Sequence, residues 1–465
     1  MNVLFIRPNS KMTGTPPPIG LGYLSHAVKK ARGDQTLIIE GLKSGLSEAA
    51  ILERTAAFNP DVIGITIKSF EASQATSLVS LLKDTWRNIS VILGGPHVTT
   101  VGPSLLDTVR ADYLVLGEGE DTLVELLDSM EGKRDINSVK GVAWRNGDKI
   151  VFNGSRPYIE DLDRLEVDWE AIGPENYFGR IHREGFSVIP SSHRRVPIFT
   201  SRGCPYGCTY CHNIFGKKYR TFDTGRIIDQ MIDLRDQYNV REFEIHDDNF
   251  NLNINRAKGF MKEVIEKKLG CALSFPNGLR ADLMDEELLD LMVMAGTYYI
   301  FYAIESASPR IQKLVNKNLD LDRAKEIVNL TASRRIVTGT YNILGFPTET
   351  EEEMAMTVNY VTSLKHHFAS FFYLTPFPGT EIAEADPHIS VKVREIGFDM
   401  YTGLKINLSS VPDEVLMKMR RTAYRKFYFS PVRAARILRD VPKNPFLPLS
   451  ALAVLRLSFQ DYVHH

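Results

Sequence analysis

The sequence predicts an α/β protein made of a doubly wound parallel sheet, a partial (β/α)6 barrel and a mainly helical C-terminal region. Three observations carry the prediction. Short β-branched runs alternate with longer amphipathic runs over the first ~130 residues, the pattern of parallel strands joined by crossover helices. The alternation resumes at Val196 and stops after Pro378. The apolar fraction is 43%, enough to fill real cores and too low for a membrane protein.

In the first unit the strand candidates are Val3–Arg7, Thr36–Glu40, Val62–Ile67, Val91–Gly95 and Tyr113–Leu116. Helices are expected at Gly22–Ala31, Ser47–Phe58, Glu71–Asp84, Pro103–Val109 and Glu120–Met130. Five such βα units predict the flavodoxin-like strand order, with ligands at the carboxyl ends of the strands. Residues 131–195 carry turn signals, Asn146-Gly147 and Asn153-Gly154 among them, and read as a connector packing on both neighbours. In the second unit strands are expected at Ile198–Ser201, Glu242–His246, Ala272–Pro276, Tyr299–Ile304, Thr340–Leu344 and Phe371–Leu374. Helices fit at Asn255–Lys268, Asp285–Ala295 and Glu349–Leu364. The expected boundaries are 1–135, 136–195, 196–385 and 386–465, the last helical and basic around Arg420–Arg439.

With 56 basic and 57 acidic residues, the net charge of -1 gives no global pull toward nucleic acid. There are four cysteines, three within eight residues. That usage suits a reducing cytoplasm and thiolates kept for metal rather than disulfides. No signal-peptide pattern and no run of 18 apolar residues is present, so no transmembrane segment is expected.

The cysteines stand in Gly203-Cys204-Pro205-Tyr206-Gly207-Cys208-Thr209-Tyr210-Cys211-His212, on a Gly/Pro-rich loop after a predicted strand. Three converging soft thiolates select an iron–sulfur cluster or zinc. Zinc ordinarily takes a fourth Cys or His, and no second Cys-x-x-Cys pair exists. This CxxxCxxC, opening a (β/α)6 series, resembles the radical S-adenosylmethionine (SAM) superfamily. The resemblance implies a [4Fe–4S] cluster on Cys204, Cys208 and Cys211, whose open iron chelates SAM, and a 5′-deoxyadenosyl radical formed on reduction. Cys271, alone in a strand-like run, reads as a buried inert thiol.

Polar residues cluster at the barrel strand ends, and the resemblance assigns them to SAM. Asp247 or Asp248 takes the place of the segment that meets the methionyl amine. Arg280 is a clamp for the SAM carboxylate, and Glu305 is similar to the ribose-contacting position. Gly345 and Pro378 lie in loops like those that approach the adenine, with Tyr210 against the same base. Each also fits a plainer role, a helix cap or turn for the aspartates and an ion pair for Glu305.

Four loops of the first unit stand out at strand ends, three of them with glycines: Pro18, Gly20 and Gly22; Lys68 and Ser69; Gly94, Gly95 and His97; Gly117, Glu118, Gly119 and Glu120. Glycine lets backbone approach a bulky ligand closely, and tight βα packing is the alternative use. No complete GxGxxG follows the first strand, which argues against a nicotinamide site. Placed before the CxxxCxxC, the loops resemble the cobalamin-binding domain of class B radical SAM enzymes. The DxHxxG that supplies a cobalt-ligating histidine elsewhere is absent. The resemblance therefore implies a corrin with no histidine below it and Lys68 facing its lower side.

The implied function is methyl transfer to an unactivated carbon through methylcobalamin and a 5′-deoxyadenosyl radical. Alternatives are cyclisation, ring rearrangement or sulfur insertion with cobalamin but without methyl transfer, radical SAM chemistry with no corrin, and a non-catalytic cluster-bearing module. The expected partners are a small-molecule substrate and an electron donor such as flavodoxin or ferredoxin. Arg420, Arg421, Arg425, Lys426, Arg433, Arg436 and Arg439, with the apolar Phe446–Leu457, suggest an anionic, phosphorylated or lipid substrate, or contact with a membrane surface. A solvated helix face is the plainer reading.

Overall fold

The computed structural model describes residues 1–9, 16–179, 190–212, 214–386, 388–389 and 403–442. Phe446–Leu457 lies outside them.

The first sheet contains β1 (Asn2–Arg7), β2 (Gln35–Glu40), β3 (Val62–Thr66), β4 (Ser90–Gly94), β5 (Tyr113–Val115), β6 (Val142–Asn146) and β7 (Lys149–Phe152). The spatial order is β2-β1-β3-β4-β5-β6-β7. The five parallel strands follow the flavodoxin-like order. Successive side chains point to opposite faces, and the sequence fills both. Leu4, Ile6, Ile63, Ile65, Val91 and Leu93 pack with Ile51, Leu78, Val79 and Leu82 of two helices. Val3, Phe5, Val62 and Ile92 pack with Leu21, Val28, Leu123 and Leu126 of two others. Within the stretch read as a connector, β6 and β7 form a hairpin that extends this sheet antiparallel from β5. Its turn uses Gly147 at φ 61°.

The second unit contains β8 (Arg195–Ile198), β9 (Ser201–Arg202), β10 (Arg220–Thr221), β11 (Glu242–Ile245), β12 (Ala272–Leu279), β13 (Thr297–Glu305), β14 (Val337–Leu344) and β15 (Phe368–Tyr373). Six of these form one parallel sheet in the order β8-β11-β12-β13-β14-β15, while β9 and β10 make a separate antiparallel ribbon. The barrel is open, because β8 and β15 are edges. The first barrel strand ends at Ile198 rather than Ser201, for an identifiable reason. The buried Asp247 carboxylate accepts from Thr200 N (2.6 Å), Thr200 Oγ1 (2.5 Å) and Ser201 Oγ (2.6 Å), drawing the chain out of the sheet.

The β15 edge is closed by side chains. On the helix Asp413–Tyr428, Arg420 donates to the Phe371 carbonyl (2.8 Å). The Tyr424 hydroxyl accepts from Phe371 N (3.1 Å), and the Tyr428 hydroxyl accepts from Ala369 N (3.2 Å) and donates to Ala369 O (3.0 Å). Four helical residues rise about 6 Å and two strand residues about 6.6 Å, so every fourth helical residue meets every second strand residue. The basic residues of this region are correspondingly engaged. Arg433 is buried against Phe427 and donates to the Thr362 and Leu364 carbonyls at the end of the helix Glu351–Ser363. Arg439 pairs with Asp440 at 2.6 Å. Arg420 and Arg433 therefore brace the barrel instead of meeting an anionic substrate.

The two units are joined by a buried charge cluster. Glu118, just beyond β5, accepts from Arg202 (2.8 Å) and Arg220 (2.9 Å), and Glu120 accepts from Arg202 (2.9 Å). The other Glu118 oxygen also takes the Ile159 N–H at 2.7 Å. The Arg202 guanidinium lies 4.7 Å from the Tyr23 ring centroid. Glu118 and Glu120 are thus occupied by the barrel's ribbon rather than turned to a cofactor.

At the end of β14 the chain turns at Gly345 (φ 93°), and Glu349 Oε2 accepts from Gly345 N (2.7 Å) and Phe346 N (3.1 Å). Its Oε1 is buried with no hydrogen-bond partner, and burial pushes this carboxyl up to about 7.

Removing one partner of a buried charge cluster strands the others, so Glu118→Ala is expected to cost about 3–5 kcal/mol. Urea unfolding checks this, and an unchanged midpoint contradicts it. A carboxyl raised in the folded state stabilises below its ordinary 4.5 and loses that contribution as pH rises through about 7. The wild type is therefore expected to lose on the order of 2–3 kcal/mol between pH 5 and 8 from Glu349. Glu349→Gln, which keeps a carbonyl for both N–H groups, should flatten that part of the profile.

Candidate active site

The cysteine loop leaves the ribbon at Arg202. Gly203 adopts φ 87°, and a Cβ there would lie 2.2 Å from the Lys218 carbonyl, so only glycine fits. Gly203 N donates to Asp248 (3.1 Å), Cys204 N to Gly216 O (3.1 Å) and Cys211 N to Cys208 O (3.1 Å). Cys204 and Cys208 are half-buried and Cys211 is exposed. Cys211 has open surface yet is crowded by protein and by the other thiols, which push it up to about 12. Burial raises the Cys204 thiol as well, so a metal must drive Cys204 and Cys211 to thiolates. Among the described residues no three Cys, His, Asp or Glu are placed to hold a single ion. Three cysteines on one loop instead fit a cluster, which spreads its ligands over several irons. Lys317 lies near the thiols and offers a counter-charge.

Tyr210 packs edge-on against Phe346 at 5.6 Å, with the Glu305 carboxyl close enough to act on its hydroxyl electrostatically. Glu305 follows a register shift in β13 and sits at φ 66°, a strained position for a residue with a side chain. Lys317 lies 3.8 Å from it. Gly345 and Pro378 lie in the loops after β14 and β15. Gly379, beside Pro378, approaches Thr100 of the first unit closely enough that a Cβ would lie 3.1 Å away.

Two expected SAM contacts are spent elsewhere. Asp247 is saturated by Thr200 and Ser201, whereas Asp248 is exposed beside the cysteine loop. Arg280 holds Asp282 with both arms (3.0 and 2.6 Å) and donates to the Lys317 and Asn318 carbonyls. Its guanidinium lies 4.2 Å from the Tyr206 ring. With its fork taken, Arg280 braces the cysteine loop rather than clamping a carboxylate.

Below the loop the barrel interior is divided. Outward residues of the strands, such as Phe243, Ile245, Phe275, Ile300 and Tyr302, form the core with the surrounding helices. Of the inward residues, Tyr299, Phe301, Val337 and Phe368 are buried and plug the lower half. A Cβ on Gly339 would lie 2.1 Å from the Phe301 ring, so this glycine admits the plug. Higher up, the inward His246, Ala303, Tyr341, Ile343, Ser370 and Phe372 are only half-buried, while their outward neighbours Ile304, Asn342, Leu344 and Phe371 are buried. That inversion marks a chamber between the plug and the cysteine loop. Sequence reasoning missed it, although Glu242-Phe243-Glu244-Ile245-His246 places three polar residues on one face of a strand.

At the carboxyl ends of the first sheet, Gly20 and Gly117 would carry a Cβ into open space, as a cradle for a large flat ligand requires. Gly95 at φ 99° is forced instead by its neighbours, a Cβ falling 2.7 Å from Thr66 Oγ1 and 3.0 Å from the Ile67 backbone. Gly94 and Gly119 are in van der Waals reach of Val115. Gly22 is used for packing, a Cβ there striking Ile172 at 2.6 Å. Pro18 supplies the carbonyl that opens the helix Ile19–Arg32. His97 Nδ1 lies 3.2 Å from Ser69 Oγ, and burial lowers the imidazole to about 4, so it is neutral. Lys68 stands above a buried network absent from the sequence reading. Arg7 donates to Glu71 (3.1 Å) and lies 3.6 Å from Glu40, which accepts from Tyr177 (3.2 Å). Burial and Arg7 lower the Lys68 amine to about 8, against the pull of Glu71 and Glu40.

Comparison with known proteins agrees with this layout. A B12 binding domain model matches residues 9–127, and a Radical SAM superfamily model matches residues 198–361. The chain is 28% identical over 442 residues to a protein of Pyrococcus horikoshii described as an uncharacterized methyltransferase, covering 93% of each. It is 28% identical to the anaerobic magnesium-protoporphyrin IX monomethyl ester cyclase of Rubrivivax gelatinosus, covering 86% of this chain and 72% of that one. It is also 28% identical to the cytidylyl-2-hydroxyethylphosphonate methyltransferase of Streptomyces wedmorensis, covering 78% and 77%. Among solved structures, the methyltransferase TsrM of Kitasatospora setae with cobalamin and a [4Fe-4S] cluster superposes with a TM-score of 0.69 at 20% identity, over 84% of this chain and 75% of that one. OxsB with aqua-cobalamin and S-adenosylmethionine gives 0.73 at 13% identity, over 99% and 72%. With its B12-binding domain first, its radical SAM domain second and its three cysteines at the barrel mouth, the chain belongs to the cobalamin-dependent radical SAM enzymes.

Proposed function

We propose that this enzyme is a C-methyltransferase acting on a carbon that lacks acidity. The observation that carries the reading is the charge cluster, which fixes the Gly117–Glu120 loop of the cobalamin domain to the residue two before Cys204. That union, with the Gly379–Thr100 contact, ties the strand ends of the first unit to the loops of the barrel. Two of the relatives reported above are named as methyltransferases, which supports the same choice.

The bound groups would supply a carbon-centred radical initiator and a transferable methyl group; the protein contributes binding, orientation and exclusion of water. Cys204, Cys208 and Cys211 would hold the cluster. Asp248, Glu305 and Tyr210 would orient SAM, with Asp248 taking the amine. Gly20, Gly117, Ser69, His97 and Lys68 would line the corrin site. All four cysteines are free thiols, in keeping with a reducing cytoplasm and a one-electron donor of the flavodoxin or ferredoxin class.

The test is anaerobic reconstitution with iron, sulfide and hydroxocobalamin, followed by desalting and a visible spectrum. Corrin bands retained together with the broad cluster absorption are expected. S-adenosylhomocysteine should then accumulate in turnover, as each transferred methyl demands. Both cofactors without that product would favour a cyclisation like that named for the Rubrivivax relative; a cluster without corrin would remove methyl transfer altogether. Replacing Cys208 with Ala should abolish cluster absorption and 5′-deoxyadenosine formation while corrin retention persists. Loss of both cofactors together would instead mean that the two sites fold as one.

A further inference from the structure

The helix Pro431–Asp440 is built inside out. A surface helix ordinarily buries an apolar stripe and shows its charges to water. Here Arg433 is buried and donates to the Phe427 (3.1 Å), Thr362 (3.1 Å) and Leu364 (3.2 Å) carbonyls. Asp440 meets the buried His367 at 3.0 Å, and Arg436 reaches the His366 carbonyl at 3.3 Å. The other face carries Pro431, Ala434, Ala435 and Leu438 at the i, i+3, i+4, i+7 spacing of one helical stripe, and all of them are exposed. Val432 flanks the stripe and Phe429 stands at the turn before it. Phe429, Val432 and Leu438 are 74%, 69% and 67% exposed, more than any other large apolar side chain among the described residues. Gathered on one turn and the helix it opens, they form a patch and not scattered surface.

The preceding helix, Asp413–Tyr428, supplies charge beside the patch. It turns Arg420, Tyr424 and Tyr428 to β15, while Lys418, Thr422, Arg425 and Lys426 form an exposed stripe that leads to Phe429. Lys426 reaches Asn359, whereas Lys418 and Arg425 pair with no acid among the described residues. Arg439 rims the far end of the apolar stripe. Between Lys418 and Asp440 the sequence holds no acid but Asp440, which faces inward to His367. Asp413 and Glu414 stand at the other end of their helix, about 22 Å along its axis from Phe429.

A protein partner is gripped by large anchors set in pockets. This face is instead the convex side of a helix, with only alanine and proline between its large side chains. A shallow apolar face rimmed by cations matches the surface of an anionic bilayer, where apolar side chains enter the acyl boundary and Lys and Arg meet headgroups. We propose that this face docks on an anionic lipid bilayer through Phe429, Val432 and Leu438, with Lys418, Arg425 and Arg439 against the headgroups. No helix among the described residues is long and apolar enough to cross a membrane, so the contact is peripheral. Through Ile437 and Val441 the same segment packs on Tyr299, Val337 and Phe368 at the amino ends of the barrel strands. The cysteine loop lies at the carboxyl ends, so docking holds the enzyme at the membrane with its mouth turned from the lipid. Docking is independent of which reaction the barrel performs.

The reconstituted enzyme is sedimented anaerobically with vesicles of phosphatidylcholine alone, or of phosphatidylcholine and phosphatidylglycerol at about three to one. It is expected to sediment with the anionic vesicles and not with the neutral ones, and to be released as salt rises from about 0.1 to about 0.5 M. Phe429→Ser, Val432→Ser and Leu438→Ser together should weaken the partition at least about tenfold. Lys418→Gln with Arg425→Gln should weaken it about tenfold. Both variants alter exposed side chains only and should unfold at the wild-type temperature. Equal partition onto neutral and anionic vesicles, no partition onto either, or partition unmoved by the serine substitutions would overturn the proposal. A dimer that the serine substitutions dissolve, with no vesicle binding, would also overturn it and give the face to a second copy of the chain.

Discussion

Everything in this molecule that concerns two cofactors depends on four charges withdrawn from water. Glu118 and Glu120 belong to the cobalamin domain, Arg202 and Arg220 to the barrel, and all four are buried. Buried ions are costly unless geometry and hydrogen bonds are good. Here Glu118 accepts from two guanidinium groups and from a backbone N–H. Such a cluster tolerates little sliding, unlike an apolar contact, because each bond is directional. Position, more than stability, is what the arrangement secures. The same Arg202 begins the turn that Gly203 makes possible and that Cys204 follows.

A second layer of buried polar groups shapes the barrel mouth. Asp247 ends the first strand by gathering Thr200 and Ser201. Arg280 ties Asp282, Tyr206 and the Lys317 carbonyl into one support under the cysteine loop. Both residues stand where a ligand contact is expected, and both are consumed by the scaffold. Asp248 and Glu305 are what remains, one exposed and the other strained and close to Lys317.

The periodic features were legible in the sequence. Strand and helix alternation located every parallel strand of the two large sheets within a few residues, and the five-strand order followed from general rules of parallel sheets. The cysteine loop announced itself by spacing. What could not be read were pairings made across long stretches of chain. Glu118 and Arg202 are 84 residues apart, Glu118 and Arg220 are 102 apart, and no local pattern marks such partners. For the same reason the sequence does not reveal that the two glutamates of the Gly-Glu-Gly-Glu run pair with arginines of the barrel's ribbon. The hairpin β6–β7 was visible only as its turn, since strands of four or five residues carry too little periodicity to declare which sheet they join.

The closure of the barrel edge has one more consequence. Arg420, Tyr424 and Tyr428 address the main chain of β15, and the apolar side of their helix packs on outward residues such as Phe371 and Tyr373. None of these contacts involves Ser370 or Phe372, the residues of that strand that face the chamber. The inward face of the strand can therefore change its chemistry while the latch outside it stays shut. What lines the barrel interior and what holds its edge shut are separated by the two faces of a single strand.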